Sequence, residues 1–563
     1  MKAYTSLVTA FLMLLPAALG ASSTPTVTIS SPQATIIGLG GQVEEFPGVP
    51  FAKPPVKDLR FKPPVPITKP YGVYKATENK DICPQFIGST TDGYSLLPKA
   101  LASLFNAPFF QQSILSASED CLYLNVHRPA GTKRGDNLPV LFYIYGGGFQ
   151  LGWNSMYDGK PWVKESVRLG KPIIVVTVAY RIGGFGFLPG RQIHAEGSAN
   201  AGLLDQRLGL QWVADNIKAF GGDPEKVTIW GESAGAWSVF DQMALYSGNH
   251  TYNGRPLFRG AIMNSGTFLA ADATDAPQAQ GIYDKVVDSA GCTNAPNTLQ
   301  CLRDLDYTSY LNAANSVPAM LGYNSLALAY LPRPDGLVLA DAPDQLALEN
   351  KVAKVPYIAG NQEDEGTIFA LFQSNITTEE LLIEYLGNVF FQNASKQLLK
   401  EFIDLYADTN TNGAPFRTGS KNNIYPEFKR LAAIIGDHEF SLSRRIFLEA
   451  SEQASPDVPT WSYISSYNYG TPLLGTFHGS DLLQVFFGIL PNYASAAFQA
   501  YYISFVNTLD PNDGNKGTFA HWPRWSGGHQ LLNMYANHSK FIPDDYRSEA
   551  AVFLRKNFRS LRL

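Results

Sequence analysis

Lys226-Val-Thr-Ile-Trp-Gly-Glu-Ser-Ala-Gly-Ala-Trp-Ser-Val-Phe240 is the stretch on which the fold turns. Lys226–Trp230 reads as a short apolar strand. It runs straight into Gly231-Glu-Ser-Ala-Gly235, a G-x-S-x-G motif, and then into a helical stretch, 236–246, with no Pro or Gly inside. The motif alone is common, and a serine there can be an ordinary helix cap. Strand, sharp turn and helix in immediate succession are the setting of a nucleophile elbow, which lifts a serine hydroxyl clear of the sheet edge. The helix N-terminus behind Ser233 favours developing negative charge.

A serine hydroxyl needs a base, and its tetrahedral intermediate needs donors aimed at the oxyanion. Tyr145-Gly-Gly-Gly-Phe149 ends another apolar run and resembles the glycine-rich oxyanion loop of esterases. It predicts donors at the amides of Gly147 and Gly148, with Ala234 as the third. Further candidate strands lie at 139–145, 172–179, 259–263, 355–359 and 460–465. They are rich in Val, Ile, Tyr and Trp. Ile173-Ile-Val-Val-Thr-Val-Ala179 is nearly all apolar, as in a strand covered on both faces. Alternation with helix-like stretches predicts an α/β class with a largely parallel sheet. Helices are also expected at 496–509 and at about 545–558.

The base should be a histidine after the serine, in the order Ser…Asp/Glu…His. His127 and His194 precede Ser233, and His250 sits in a sequon. Of the rest, His438, between Asp437 and Glu439, reads as a solvated surface residue. His521, His529 and His538 fall in a loop-rich C-terminal region. Pattern favours His478, in Gly475-Thr-Phe-His-Gly-Ser-Asp481 just past a strand. The acid should follow a strand's carboxyl end. There Glu363, Asp364 and Glu365 compete, and spacing does not choose among them.

Composition sets limits on the rest. The 563 residues are 45% hydrophobic and 17% charged, enough for a large core. With 44 Lys+Arg against 49 Asp+Glu and no run of like charge, nothing points to nucleic acid. Met1-Lys2, an apolar stretch from Leu7 to Leu15 and Ala18-Leu-Gly20 read as a secretory signal peptide, residues 1–20. The remainder, 21–563, is expected as a single domain, with no further stretch suited to crossing a membrane. Export makes disulfides between Cys83, Cys121, Cys292 and Cys301 plausible chemistry; three pairings exist, of which the sequential one is simplest. Sequons at Asn249, Asn375, Asn393 and Asn537 are candidate glycan sites.

Several long motifs in order resemble the type-B carboxylesterase/lipase family, most closely fungal lipases of the Geotrichum and Candida rugosa kind. They are Phe46-Pro-Gly-Val-Pro-Phe-Ala-Lys-Pro-Pro55 with Leu59-Arg-Phe61, and Ser118-Glu-Asp-Cys-Leu-Tyr-Leu-Asn-Val126. Asn200-Ala-Gly-Leu-Leu-Asp-Gln-Arg207, Phe220-Gly-Gly-Asp-Pro224, Asp364-Glu-Gly-Thr367, Gly475-Thr-Phe-His478 and Leu509-Asp-Pro-Asn512 complete the set. The resemblance covers essentially the whole chain after the leader. It implies an α/β-hydrolase fold and a triad of Ser233, Glu365 and His478. It also implies oxyanion amides at Gly147, Gly148 and Ala234, disulfides Cys83–Cys121 and Cys292–Cys301, and an Arg60–Glu119 ion pair. No metal or cofactor is implied. The activity implied is hydrolysis of lipid esters, triacylglycerols or steryl esters, with small soluble esters as the alternative. A non-catalytic binding protein on this fold is disfavoured because every element of the site is present.

Two features bear on substrate. Within the loop at about 84–120, Leu97, Leu101, Leu104 and Phe105 share one helical face, and Phe109 and Phe110 follow. In the lipases resembled, the corresponding loop is a lid, which predicts contact with a lipid–water interface. Trp237 stands where those lipases carry Met. With Phe149 it is a candidate wall of the acyl pocket.

Overall fold

The computed structural model describes residues 24–86, 116–320, 322–406, 413–488 and 491–563. The expected leader and the amphipathic lid stretch, 97–105 with Phe109 and Phe110, lie outside these residues.

Ten strands form one sheet. In chain order they are β1 (Val43–Pro50), β2 (Tyr123–Pro129), β3 (Leu138–Ile144), β4 (Ile174–Val178), β5 (Gly222–Glu232), β6 (Gly260–Asn264), β7 (Tyr357–Gln362), β8 (Thr460–Ser465), β9 (Gln530–Met534) and β10 (Ser539–Pro543). Their spatial order is β10-β9-β8-β7-β6-β5-β3-β4-β2-β1. From β4 through β9 neighbours run parallel; β9–β10, β4–β2 and β2–β1 are antiparallel. The parallel centre is buried on both faces, which is why β4 and β6 read as mostly apolar runs rather than alternating ones, and β7 is buried along its whole length. On β3, Tyr143 points to one face, against Trp230 and Tyr157, while Phe142 points to the other, where helix α1 (Ala201–Asn216) brings Gly209 close.

Some boundaries differ from the sequence expectation. β7 begins after Pro356, which has no N–H to pair, and continues through Gly360-Asn-Gln362. β1 was hidden in Phe46-Pro-Gly-Val49. A register shift between Phe46 and Val49 takes up Pro47 and Gly48 as a bulge, and the Gly48 N–H donates to Asn125 Oδ1 at 2.8 Å. The C-terminal region expected to be loop-rich instead supplies the edge hairpin β9–β10. The helix expected at 496–509 is Tyr493–Thr508, started by a reciprocal Asn492–Ser495 capping box. The other C-terminal helix is Ser548–Asn557.

Both disulfides pair sequentially, Cys83–Cys121 and Cys292–Cys301. Buried Arg60 donates to both Glu119 carboxylate oxygens at 2.7 Å, and to the carbonyls of Leu302 and Leu305 just after the second disulfide. One guanidinium thus joins the two crosslinked loops. Asn249, Asn375, Asn393 and Asn537 are all exposed. Among the described residues no helix is long and apolar enough to cross a membrane.

Candidate active site

Because β3, β5, β7 and β8 are parallel, their carboxyl ends share one edge of the sheet. The loops that leave that edge carry the candidate residues. Ser233 sits between β5 and helix α2 (Ala234–Gly248) with φ 58° and ψ −127°. For a residue other than glycine this backbone state costs on the order of 1–3 kcal/mol. Tight packing imposes it. A Cβ on Gly231 would lie 2.2 Å from the Gly235 carbonyl oxygen, and one on Gly235 would lie 2.1 Å from that of Ile144. The Ser233 N–H donates to the Asn264 carbonyl at the end of β6 (2.9 Å). Its hydroxyl makes no capping bond to α2. That removes the capping role and leaves Oγ free to face elsewhere.

Ser233 Oγ is 2.7 Å from His478 Nε2, and His478 Nδ1 is 2.6 Å from Glu365 Oε2. The other Glu365 oxygen accepts the Gln362 N–H at 2.6 Å, which fixes the carboxylate plane. Glu365 is 1% exposed, so its charge is held out of water beside the ring it orients. The imidazole is packed between Phe440 and Phe369, with ring centroids 4.6 and 5.0 Å away. Burial alone would lower its pKa. The Glu365 carboxylate, its hydrogen bond, and the nearby acids Glu232 and Asp481 outweigh burial and leave it raised.

The three carboxylates that spacing left open have separate partners. Glu363 pairs with the Arg417 guanidinium through both oxygens, at 2.6 and 2.5 Å. Asp364 accepts the N–H groups of Phe416 (2.7 Å) and Thr476 (2.8 Å). Only Glu365 reaches the imidazole.

The Gly146–Gly148 loop leaves β3 beside this group. Gly147 has φ 107°, and a Cβ on it would meet the Leu151 carbonyl oxygen at 2.2 Å, so the turn admits no larger residue. The amides of Gly147, Gly148 and Ala234 have no acceptor among the described residues. Trp237 and Phe149 lie at the same end, fully buried. The indole stacks between Phe440 (5.4 Å, 12°) and Phe149 (6.2 Å, 20°).

Two residues of the site carried no sequence prediction. Glu232, inside the elbow motif, has Oε1 at 3.6 Å from His478 Nε2. Burial pushes it up to about 8; the neighbouring acids add to that and His478 opposes it. Asp481, three residues past the histidine, accepts from Asn264 Nδ2 at 3.2 Å, and burial pushes it up to about 6. Both stood in quoted motifs; their roles emerge only when β5, β6 and the 475–481 loop converge. His438 corrects an expectation. It is 2% exposed rather than solvated, and its Nδ1 lies 2.8 Å from Glu439 Oε1. The helical segment carrying it is buried all round, so flanking charges misreport its setting.

A profile of the Carboxylesterase family matches residues 27–553. "Secreted lipase 1" of Botryotinia fuckeliana is 61% identical over 540 residues, 96% of this chain and 94% of that protein. A secreted triacylglycerol lipase of Gibberella zeae is 52% identical, covering 95% and 91%. The crystal structure of Aspergillus niger EstA superposes with a TM-score of 0.78 at 27% identity, covering 96% of this chain and 99% of that one. With the elbow, the glycine loop and the facing histidine on one sheet edge, and with likeness of this extent, the chain belongs to the carboxylesterase family.

Proposed function

We propose that this chain is an exported serine hydrolase that cleaves carboxylic esters of lipids through an acyl-enzyme. One observation carries the reading: Ser233 Oγ, His478 and Glu365 form an unbroken relay of 2.7 and 2.6 Å beside main-chain amides that have no acceptor among the described residues. His478 Nε2 takes the serine proton as Oγ attacks the ester carbonyl, and Glu365 stabilises the imidazolium that forms. The amides of Gly147, Gly148 and Ala234 receive the oxyanion. The imidazolium then protonates the departing alcohol, and a water activated by the same ring releases the acid. Trp237 and Phe149 wall the acyl side.

The lipid class is supported by the names of the two relatives, one a secreted lipase and the other a secreted triacylglycerol lipase. The helical spacing of Leu97, Leu101, Leu104 and Phe105 in the sequence between Cys83 and Cys121 supports contact with a lipid–water interface. The leader-like 1–20, the exposed sequons at Asn249, Asn375, Asn393 and Asn537, and both disulfides support export of 21–563 as one glycosylated domain.

The test is a panel of emulsified triacylglycerol, a steryl ester and a short soluble ester, assayed with purified protein and its Ser233→Ala variant. Emulsified lipid ester should be hydrolysed, and Ser233→Ala should lose about 10^6-fold in kcat. Turnover of the soluble ester alone would move the assignment to small esters. Activity retained in Ser233→Ala would overturn it.

A further inference from the structure

Glu365 and His478 stand on two loops that the sheet itself does not hold together. His478 comes 13 residues after β8 ends at Ser465. A loop that long does not by itself hold an imidazole to the roughly 0.5 Å that a catalytic constellation needs. The two loops meet at Asp364. Its N–H donates to the Thr476 carbonyl (3.0 Å), and its Oδ2 accepts the Thr476 N–H (2.8 Å). Thr367 Oγ1 lies within bonding distance of both the Asp364 carbonyl (2.9 Å) and the Leu474 carbonyl (2.8 Å). Asp364 and Phe477 form an isolated parallel bridge beyond the ends of β7 and β8. A third segment is fastened by the same carboxyl group, since Oδ1 accepts the Phe416 N–H at 2.7 Å. Gly475 fits against it closely: a Cβ there would lie 2.1 Å from Asp364 Oδ2. Asp364 is 1% exposed and immediately precedes Glu365 in the chain.

We propose that Asp364 is a positioning residue for the hydrolytic reaction, a side-chain clamp that sets the distance between the Glu365 carboxylate and the His478 imidazole. It rests on the assignment of Ser233, His478 and Glu365 made above. The carboxyl group touches no reacting atom. It bonds the residue two before the histidine, while its own main chain leads into the glutamate. Displacing Thr476 therefore moves the ring relative to its partner. Asn at 364 keeps one acceptor but turns an N–H2 toward the second N–H donor, so one side of the clamp opens with little change of shape.

The experiment compares Asp364→Asn, Gly475→Ala and Ser233→Ala in the full chain, with active sites counted by an irreversible phosphonate titrant. Gly475→Ala leaves Asp364 in place and pushes the clamp apart from the opposite side. Asp364→Asn and Gly475→Ala should each lower kcat per titrated site about ten- to a hundredfold. KM should stay within about threefold, since the chemistry rather than the binding surface is disturbed. The acid limb of the pH profile should fall toward the ordinary histidine value of about 6.5 as the ring loses its close carboxylate. The double variant should cost less than the product of the two single losses, because both open one clamp. A merely structural aspartate would reduce the number of titratable sites and leave kcat per site and the limb where they were. That result in Asp364→Asn, within twofold of the parent, overturns the proposal. If Ser233→Ala keeps its activity, the underlying site assignment fails instead.

Discussion

At residue scale, the chemistry depends on one imidazole being neutral but easily protonated. The raised pKa of His478 comes from Glu365 and the acids near it working against burial. A base must be unprotonated to accept the serine proton, so activity should fall as pH drops through that raised value. The acid limb should therefore sit above the ordinary histidine range, about 6.5. Glu365→Gln keeps the shape but removes the charge. It should move the limb down and lower kcat about 10^4-fold, as loss of the orienting acid does in related triads. An unmoved limb in a pH–rate profile would show that Glu365 does not set the imidazole's charge. Trp237 offers a second test at this scale. Its indole lies stacked between Phe149 and Phe440, and Phe440 in turn packs on His478. Trp237→Met opens space beside the serine, and the optimum acyl length should lengthen. An identical chain-length profile for parent and variant would remove Trp237 from the acyl wall. The serine and the histidine could be singled out by pattern because each sits in a local motif beside a strand. The choice among Glu363, Asp364 and Glu365 could not, because three adjacent acids differ only in which distant partner each meets: Arg417, Thr476 or His478.

At element scale, the elbow works because β3, β5 and α2 approach to main-chain contact. That closeness gives two glycines opposite predicted fates. Gly235→Ala drives a Cβ to 2.1 Å from the Ile144 carbonyl oxygen at the end of β3, and a sheet backbone cannot swing aside. The cost should exceed the about 1–3 kcal/mol of ordinary overpacking, with a collapse in titratable sites. Gly281 lies within the helix Pro277–Ser289, and a Cβ there meets nothing within 4 Å. Gly281→Ala should stabilise by about 0.5–1 kcal/mol. Denaturant melts of both variants check the pair; equal effects would mean that the elbow's tightness is not what requires Gly235. The central strands were legible for a related reason. β3, β4 and β6 are covered on both faces and so appear as mostly apolar runs; β8, rich in Trp, Tyr and Ile, matches its expected span of 460–465. The edge strands β1, β9 and β10 were not legible. One contains a Pro-Gly bulge, and the hairpin alternates too weakly between polar and apolar residues to stand out.

At the scale of the whole molecule, the strands that carry the site are joined by buried polar groups outside it. Asp544, just after β10, is the hub of one such joint. Its oxygens accept from Arg444 (2.7 and 2.8 Å), Arg445 (2.9 Å) and the Trp525 indole (2.9 Å). Arg444 reaches on to Ser462 in β8 and Asn361 in β7, the strands that lead to His478 and Glu365. The C-terminal hairpin is thereby tied to the catalytic half of the sheet. Burial would raise the Asp544 pKa, but the two arginines overcome it and hold it down at about 2. Asp544→Ala strands two buried guanidinium groups and should cost about 3–5 kcal/mol near pH 7. The sign of the pH dependence follows from the shift. A carboxylate whose folded pKa is depressed contributes its stability above the unfolded value, about 4, and loses it as pH falls through the folded value, about 2. The gap in unfolding free energy between parent and Asp544→Ala should therefore be widest at neutral pH and shrink between about pH 4 and pH 2. Urea melts across that range measure it, and a gap constant with pH would mean that the loss reflects packing around Asp544 rather than its charge.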